Sequence, residues 1–201
     1  MSATTADAGR HRIGPNAITR VAEALDRSAG HALTSALFAR AGLTAHLARP
    51  PTTMVDEADA CRLHGLLRSE LGDRAGAAIA REAGSATADY LLAHRIPPLF
   101  QRLLKRLPAA LASRLLLFAI ARHAWTFAGS GRFDARAGMP VLLSIRGNPL
   151  CRGQHGDHPV CDYYAATFER LFRVLVDPDT RVTEIACEAC GGDACRFALH
   201  W

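Results

Sequence analysis

Six cysteines are spread unevenly along the chain, and four of them fall between Cys161 and Cys195. Cys151 lies just upstream and Cys61 stands alone. Cys187 and Cys190 form a C-x2-C pair in a turn, a spacing that aims two thiolates at one point and suits tetrahedral zinc. Cys195 would face Cys187 across a hairpin. Cys161 precedes a predicted helix, where the dipole and the free N–H groups favour a thiolate. On residue types and spacing alone the ligand set is Cys161, Cys187, Cys190 and Cys195, with Glu184 near the same hairpin as an oxygen donor. The competing reading is a group of reduced, half-buried thiols, because free cysteine is among the most buried residue types. A hairpin with one remote thiol suits a single small ion better than an iron–sulfur cluster. Cys61 and Cys151 receive no role.

Other chemistry is sparse. There is no G-x-G-x-x-G after a strand; Gly129-Ser130-Gly131 lacks the third glycine and the following helix. No flavin motif is evident. His155 and His158 sit in a polar loop before Cys161 as stray ligand candidates. Tyr163 and Tyr164 read as core and rim.

The elements that must position the thiols divide the chain in two. Asn16 to Phe127 is helical in pattern, with Ile18, Val21, Ala22 and Leu25 at helical spacing after Pro15-Asn16. Further helices are predicted over His31–Leu43, from a Thr53 or Asp56 cap to Leu71, from Asp73 to His94, over Leu99–Leu107, and from Pro108 to Trp125. Beyond Gly129 strands are predicted at Phe133–Ala137, Val141–Ile145, Arg181–Cys187 and Cys195–Trp201. A helix from Val160 to Val176 opens on Pro159. The expected fold class is α/β (α+β): a helical N-terminal half packed on an antiparallel sheet, with a zinc-clamped C-terminal hairpin. Residues 1–15 are expected to be a flexible tail, and 16–201 one domain, helical over 16–127 and mixed over 128–201.

The 201 residues include 49% hydrophobic and 21% charged, an ordinary globular composition. The net charge is +5, and every basic residue except Lys105 is Arg. The cations are scattered and aromatics make up 6%, which argues against a nucleic-acid surface. A mildly positive chain favours anionic small molecules or an acidic membrane surface. Leu107–Ala121 is the most apolar stretch and is too short to span a bilayer. The expected location is cytoplasmic, with peripheral contact at a membrane through Leu99, Leu103, Leu104 and Leu107 as an alternative to a core or dimer face.

Pro159-Val160-Cys161, Thr183-Glu184-Ile185-Ala186-Cys187 and Gly191-Gly192-Asp193-Ala194-Cys195-Arg196-Phe197 together resemble the 4-vinyl reductase domain family. The family occurs in small bacteriochlorophyll-biosynthesis proteins of purple phototrophic bacteria and in the sensor domains of phenol-responsive activators. In the sensor branch zinc is held by C-x22-E-x2-C-x7-C, a spacing that Cys161, Glu184, Cys187 and Cys195 reproduce. The resemblance therefore implies a structural zinc on those four residues, with Cys190 an addition to the pattern. It covers roughly Ser69 to Trp201, most specifically in the last third, and the chain resembles the stand-alone branch.

What the resemblance implies about function is a role in bacteriochlorophyll synthesis and photosynthesis, with a tetrapyrrole of the chlorophyllide type as ligand. Carrier or accessory factor is the favoured role, because no hydride-donor site is visible. Reduction of a vinyl to an ethyl group and a small-aromatic sensor are the alternatives. A magnesium tetrapyrrole takes an axial imidazole, for which His94 and His123 are candidates. Trp125 could stack on the ring, and Arg146 or Arg122 could pair with a carboxylate tail. A homodimer and enzymes of the same pathway are the expected partners.

Overall fold

The computed structural model describes residues 11–201. The expected tail falls partly on residues 1–10, outside the described residues; Arg12–Ile13 form a short strand, β1, paired antiparallel with β2 (Val55–Asp56). Ile13 is buried in the core, which ties this segment down.

Two long helical runs follow the expected helices closely. α1 (Asn16–Arg40) is kinked at Gly30, and α3 (Glu57–His94) at Gly72. Each glycine has φ near +80° (81° and 76°), a conformation that costs glycine little and other residues much. Each run is therefore two helices in series, in keeping with the separate predicted segments. α2 (Thr44–Ala48) lies between them. Asp56 caps α3, its Oδ1 accepting from the Ala58 N–H at 2.8 Å. α4 (Pro98–Leu104) starts on the expected proline break, and α5 (Ala109–Arg122) starts just after Pro108. α6 (Trp125–Ala128) is a separate short turn.

The C-terminal half builds a four-stranded antiparallel sheet in the order β3-β4-β6-β5. The strands are β3 (Arg132–Arg136), β4 (Val141–Arg146), β5 (Arg181–Ala186) and β6 (Cys195–His200). Val141, Leu143 and Ile145 alternate into the core from β4, the period expected of a half-buried strand. α7 (Asp162–Leu175) crosses between β4 and β5 and is sandwiched between the sheet and α3. Its Tyr164, Phe168 and Phe172 lie on one face by the i, i+4, i+8 rule and are buried; Tyr164 and Phe168 meet Phe197 of β6.

On the opposite side α7 approaches α3 closely at Gly84. A Cβ there would run into the Tyr163 carbonyl oxygen, and the Thr167 hydroxyl donates to the Gly84 carbonyl at 3.0 Å. Tyr163 shares a hydrogen bond with Thr87 (2.8 Å) and packs edge-on against buried His64, whose Nε2 meets the Ala17 carbonyl. α7 is thus fixed from both faces, and its N-terminal end carries the first of the clustered thiols.

Candidate metal centre

Four thiols converge where α7 begins and the β5–β6 hairpin turns. Cys161 is the residue immediately before α7, Cys187 follows β5, Cys195 opens β6, and Cys151 comes from the loop after β4. All four are buried, and their sulfurs lie within 4.8 Å of one another. The separations are 3.4 Å for Cys151–Cys195 and for Cys161–Cys195, and 3.8 Å for Cys161–Cys187 and for Cys187–Cys195. Thiolates at about 2.3 Å from one tetrahedral ion would sit about 3.8 Å apart. The donor set therefore fits a single small ion and leaves no coordination position open. Several irons would hold the same sulfurs further apart.

The chain holds these donors by a second layer of hydrogen bonds. The Glu188 carboxylate accepts from the Gly147 N–H (2.6 Å) and the Asn148 N–H (2.9 Å), pinning the Cys151 loop to the hairpin. Asn148 is fully buried; its Nδ2 donates to Cys161 Sγ at 3.1 Å and its Oδ1 accepts from the Leu150 N–H. The Glu188 N–H points at Cys195 Sγ at 3.5 Å. Arg68 of α3 donates to the Val160 carbonyl and to Asp162, fixing the entry to α7. Such N–H donors stabilise negative sulfur. The thiols also act on one another: the hydrogen bonds from Cys151 and Cys161 hold Cys187 and Cys195 below the ordinary thiol range.

The expected ligands are placed as follows. Cys161, Cys187 and Cys195 come together. Cys190 does not join them: it ends a tight 3-10 turn (Glu188–Cys190), its N–H bonded back to the Cys187 carbonyl and its side chain exposed. The following Gly191, at φ +81°, completes this turn. Glu184 lies beside the thiols with Oε2 accepting from the Cys161 N–H at 2.8 Å, while its Oε1 is buried without a partner. Burial, and then the charge of Cys187, pushes its carboxyl up to about 9. The fourth sulfur is supplied by Cys151, which spacing alone does not single out. Its only sequence signal is proximity to Cys161; Asn148 and Glu188 read as turn residues.

His155 and His158 are exposed, with His158 near Asp73. Tyr163 and Tyr164 are core residues. His94, His123, Trp125 and Arg146 are all exposed and do not share a cleft. His94 ends α3 against Tyr90, His123 caps α5 with Nδ1 near the Ala119 carbonyl, Trp125 opens α6, and Arg146 ends β4. A cleft of about 410 Å³ does lie between α5 and β3, lined by Arg114, Leu117, Phe118, Ala121, Phe133 and Asp134 among others. No sequence pattern marks it, since its walls meet only in the folded chain.

The segment that carries most of the thiols, residues 141–200, matches the 4-vinyl reductase domain, and the protein is of that class. It is 46% identical over 94% of its length to the bacteriochlorophyll synthase 23 kDa chain of Cereibacter sphaeroides, covering 90% of that protein. It is 41% identical over 94% to the chain of the same name from Rhodobacter capsulatus, covering 87% of it. The chain belongs to the family of these 23 kDa chains. In fold it is similar to an H-NOX protein studied for heme distortion, with a TM-score of 0.60 over 94% of this chain and 95% of that one at 11% identity.

Proposed function

We propose that this protein serves bacteriochlorophyll biosynthesis by binding a chlorophyllide-type tetrapyrrole as a carrier or accessory factor, with a structural zinc in its thiol cluster. One observation carries the biosynthetic role: near full-length likeness to two bacteriochlorophyll synthase 23 kDa chains. The zinc reading rests on four enclosed sulfurs at single-ion spacing. A closed four-donor shell clamps chain segments together, so the ion's contribution is folding energy.

Binding, and not reduction, is the reading the residues favour. A vinyl reductase needs a hydride donor, and the sequence offers no recognisable motif for one. The α5–β3 cleft combines Phe118, Leu117 and Phe133 with Arg114, which suits the edge of a flat apolar ring bearing a carboxylate. The fold relative was studied for heme distortion, in keeping with a tetrapyrrole ligand. His123, Trp125, His94 and Arg146 are the further candidates for axial, stacking and carboxylate contacts. A homodimer and association with other enzymes of the pathway belong to the same reading.

The test mixes the pure protein with divinyl protochlorophyllide, with and without NADPH, followed by absorption spectra and chromatography of the extracted pigment. A shifted spectrum with intact vinyl groups is expected. Conversion to the ethyl pigment would make the protein the reductase instead. An unshifted spectrum with no product would refute pigment binding and favour a small-molecule sensor.

A further inference from the structure

Residues 90–133 contain seven of the chain's 24 Lys and Arg residues and none of its 19 Asp and Glu residues. This stretch carries the entire positive excess and leaves the remainder slightly acidic. The cations are Arg95, Arg102, Lys105, Arg106, Arg114, Arg122 and Arg132, and all are exposed. Among the described residues none of them forms an ion pair, although Arg residues elsewhere on the surface repeatedly do.

The same stretch is where the large apolar side chains face outward. Among the described residues it holds six of the nine exposed ones: Leu99, Leu103, Leu111, Leu115, Phe118 and Trp125. On α5 the pattern is that of a helix with two apolar faces. Ala112, Leu116 and Leu117 are buried. Leu111, Leu115 and Phe118 lie at i, i+4 and i+7 on the opposite side, with Phe118 68% exposed. Arg114 and Arg122 flank this outer stripe. α4 repeats the arrangement: Leu104 is buried, Leu99 (73% exposed) and Leu103 point out, and Arg102 lies beside them.

Outward leucines are costly in water and contiguous patches of them mark contact surfaces. A protein partner could cover such a face, but an acid-free rim of unpaired arginines selects an anionic surface. We infer that the α4–α5 face docks on an anionic lipid bilayer, Leu99, Leu103, Leu111, Leu115 and Phe118 entering the interface while the arginines meet the headgroups. Amphipathic helices bind in this way, lying in the interface plane, and long cationic side chains reach to the phosphates from an apolar base. No helix of the described residues is long and apolar enough to cross a membrane, so the contact is peripheral. Docking of this kind is independent of pigment binding.

The test is co-sedimentation of the full chain with pigment-free vesicles. Binding to phosphatidylglycerol vesicles is expected to be at least ~10-fold tighter than to phosphatidylcholine vesicles, since each cation near an anionic surface adds favourable energy. It should weaken with salt. Leu99→Glu/Leu111→Glu should lower phosphatidylglycerol binding at least ~10-fold by removing apolar insertion and adding repulsion. Arg102→Gln/Arg106→Gln should lower it while leaving the fold untouched, and Leu33→Glu, on an exposed apolar residue elsewhere, should not. Thermal melts establish that each variant folds. The inference is overturned if the parent stays in solution with phosphatidylglycerol vesicles at low salt, or if the folded Leu99→Glu/Leu111→Glu variant binds like the parent. It is overturned equally if light scattering shows a dimer that Leu111→Glu splits, with no vesicle binding by either form: the face would then belong to a second copy.

Discussion

Replacing Cys151 by serine separates the thiol cluster seen in the structure from the ligand set that spacing implies. Structural zinc contributes about 10–16 kcal/mol in four-ligand sites, so each donor accounts for about 3 kcal/mol. A serine hydroxyl retains part of that, and zinc affinity should fall about 100-fold. At fixed free zinc a 100-fold weaker site loses about 2.7 kcal/mol of stabilisation. For a chain of this size that is a fall in Tm of about 5–10 °C. Affinity is read by competition with a chromophoric chelator, and the donor set by cobalt substitution, whose sulfur charge-transfer band weakens with each thiolate lost. Cys190→Ser should behave as the parent, because Cys190 is exposed outside the cluster. Glu184→Gln should keep the ion, because a glutamine oxygen can still accept from the Cys161 N–H. If Cys151→Ser holds zinc as tightly as the parent while Glu184→Gln releases it, Glu184 is the fourth ligand and the role given to Cys151 is wrong.

Other parts of the fold carry three more expected outcomes. Removing the ion with a strong chelator should lower Tm and loosen the β5–β6 hairpin, seen as faster hydrogen exchange at residues 184–197. Glu57 is buried; burial raises its carboxyl, but bonds from Ser130, Arg152 and His11 outweigh this and hold it at about 2. Its contribution is therefore complete above pH 4.5 and lost as pH falls towards 2, and after allowance for the half-exposed Arg152 it amounts to about 2 kcal/mol. Glu57→Gln should be less stable than the parent by that amount at pH 7, the gap closing at low pH in urea titrations. Gly84→Ala should cost about 3 kcal/mol, because its methyl meets the Tyr163 carbonyl of α7; an unchanged urea midpoint would show that α3 and α7 can part without cost.

Much of the architecture is legible in the sequence because it is local. Helix starts at Asn16 and Asp56 and the breaks at Gly30, Gly72, Pro97 and Pro108 follow from backbone rules that act within a few residues. The strands of the C-terminal half follow from alternation, and the hairpin thiols Cys187 and Cys195 from their position at either end of one turn. Cys161 is legible as a residue before a helix.

The rest depends on contacts between distant segments. Cys151 joins the cluster because Glu188, some 40 residues away, draws the loop at Gly147 and Asn148 against the hairpin. Cys190 leaves it because the chain spends that span on a 3-10 turn whose N–H groups bond back to Cys187. On α5, periodicity marks two apolar stripes and cannot say which is core. Packing against β3 and α7 buries Leu116 and Leu117 and leaves Leu111, Leu115 and Phe118 outside. Residue order thus dictates the donor types and the local elements, because both depend on near neighbours along the chain. Which thiol completes the set, and which apolar face stays uncovered, is decided by the surfaces that meet when those elements pack.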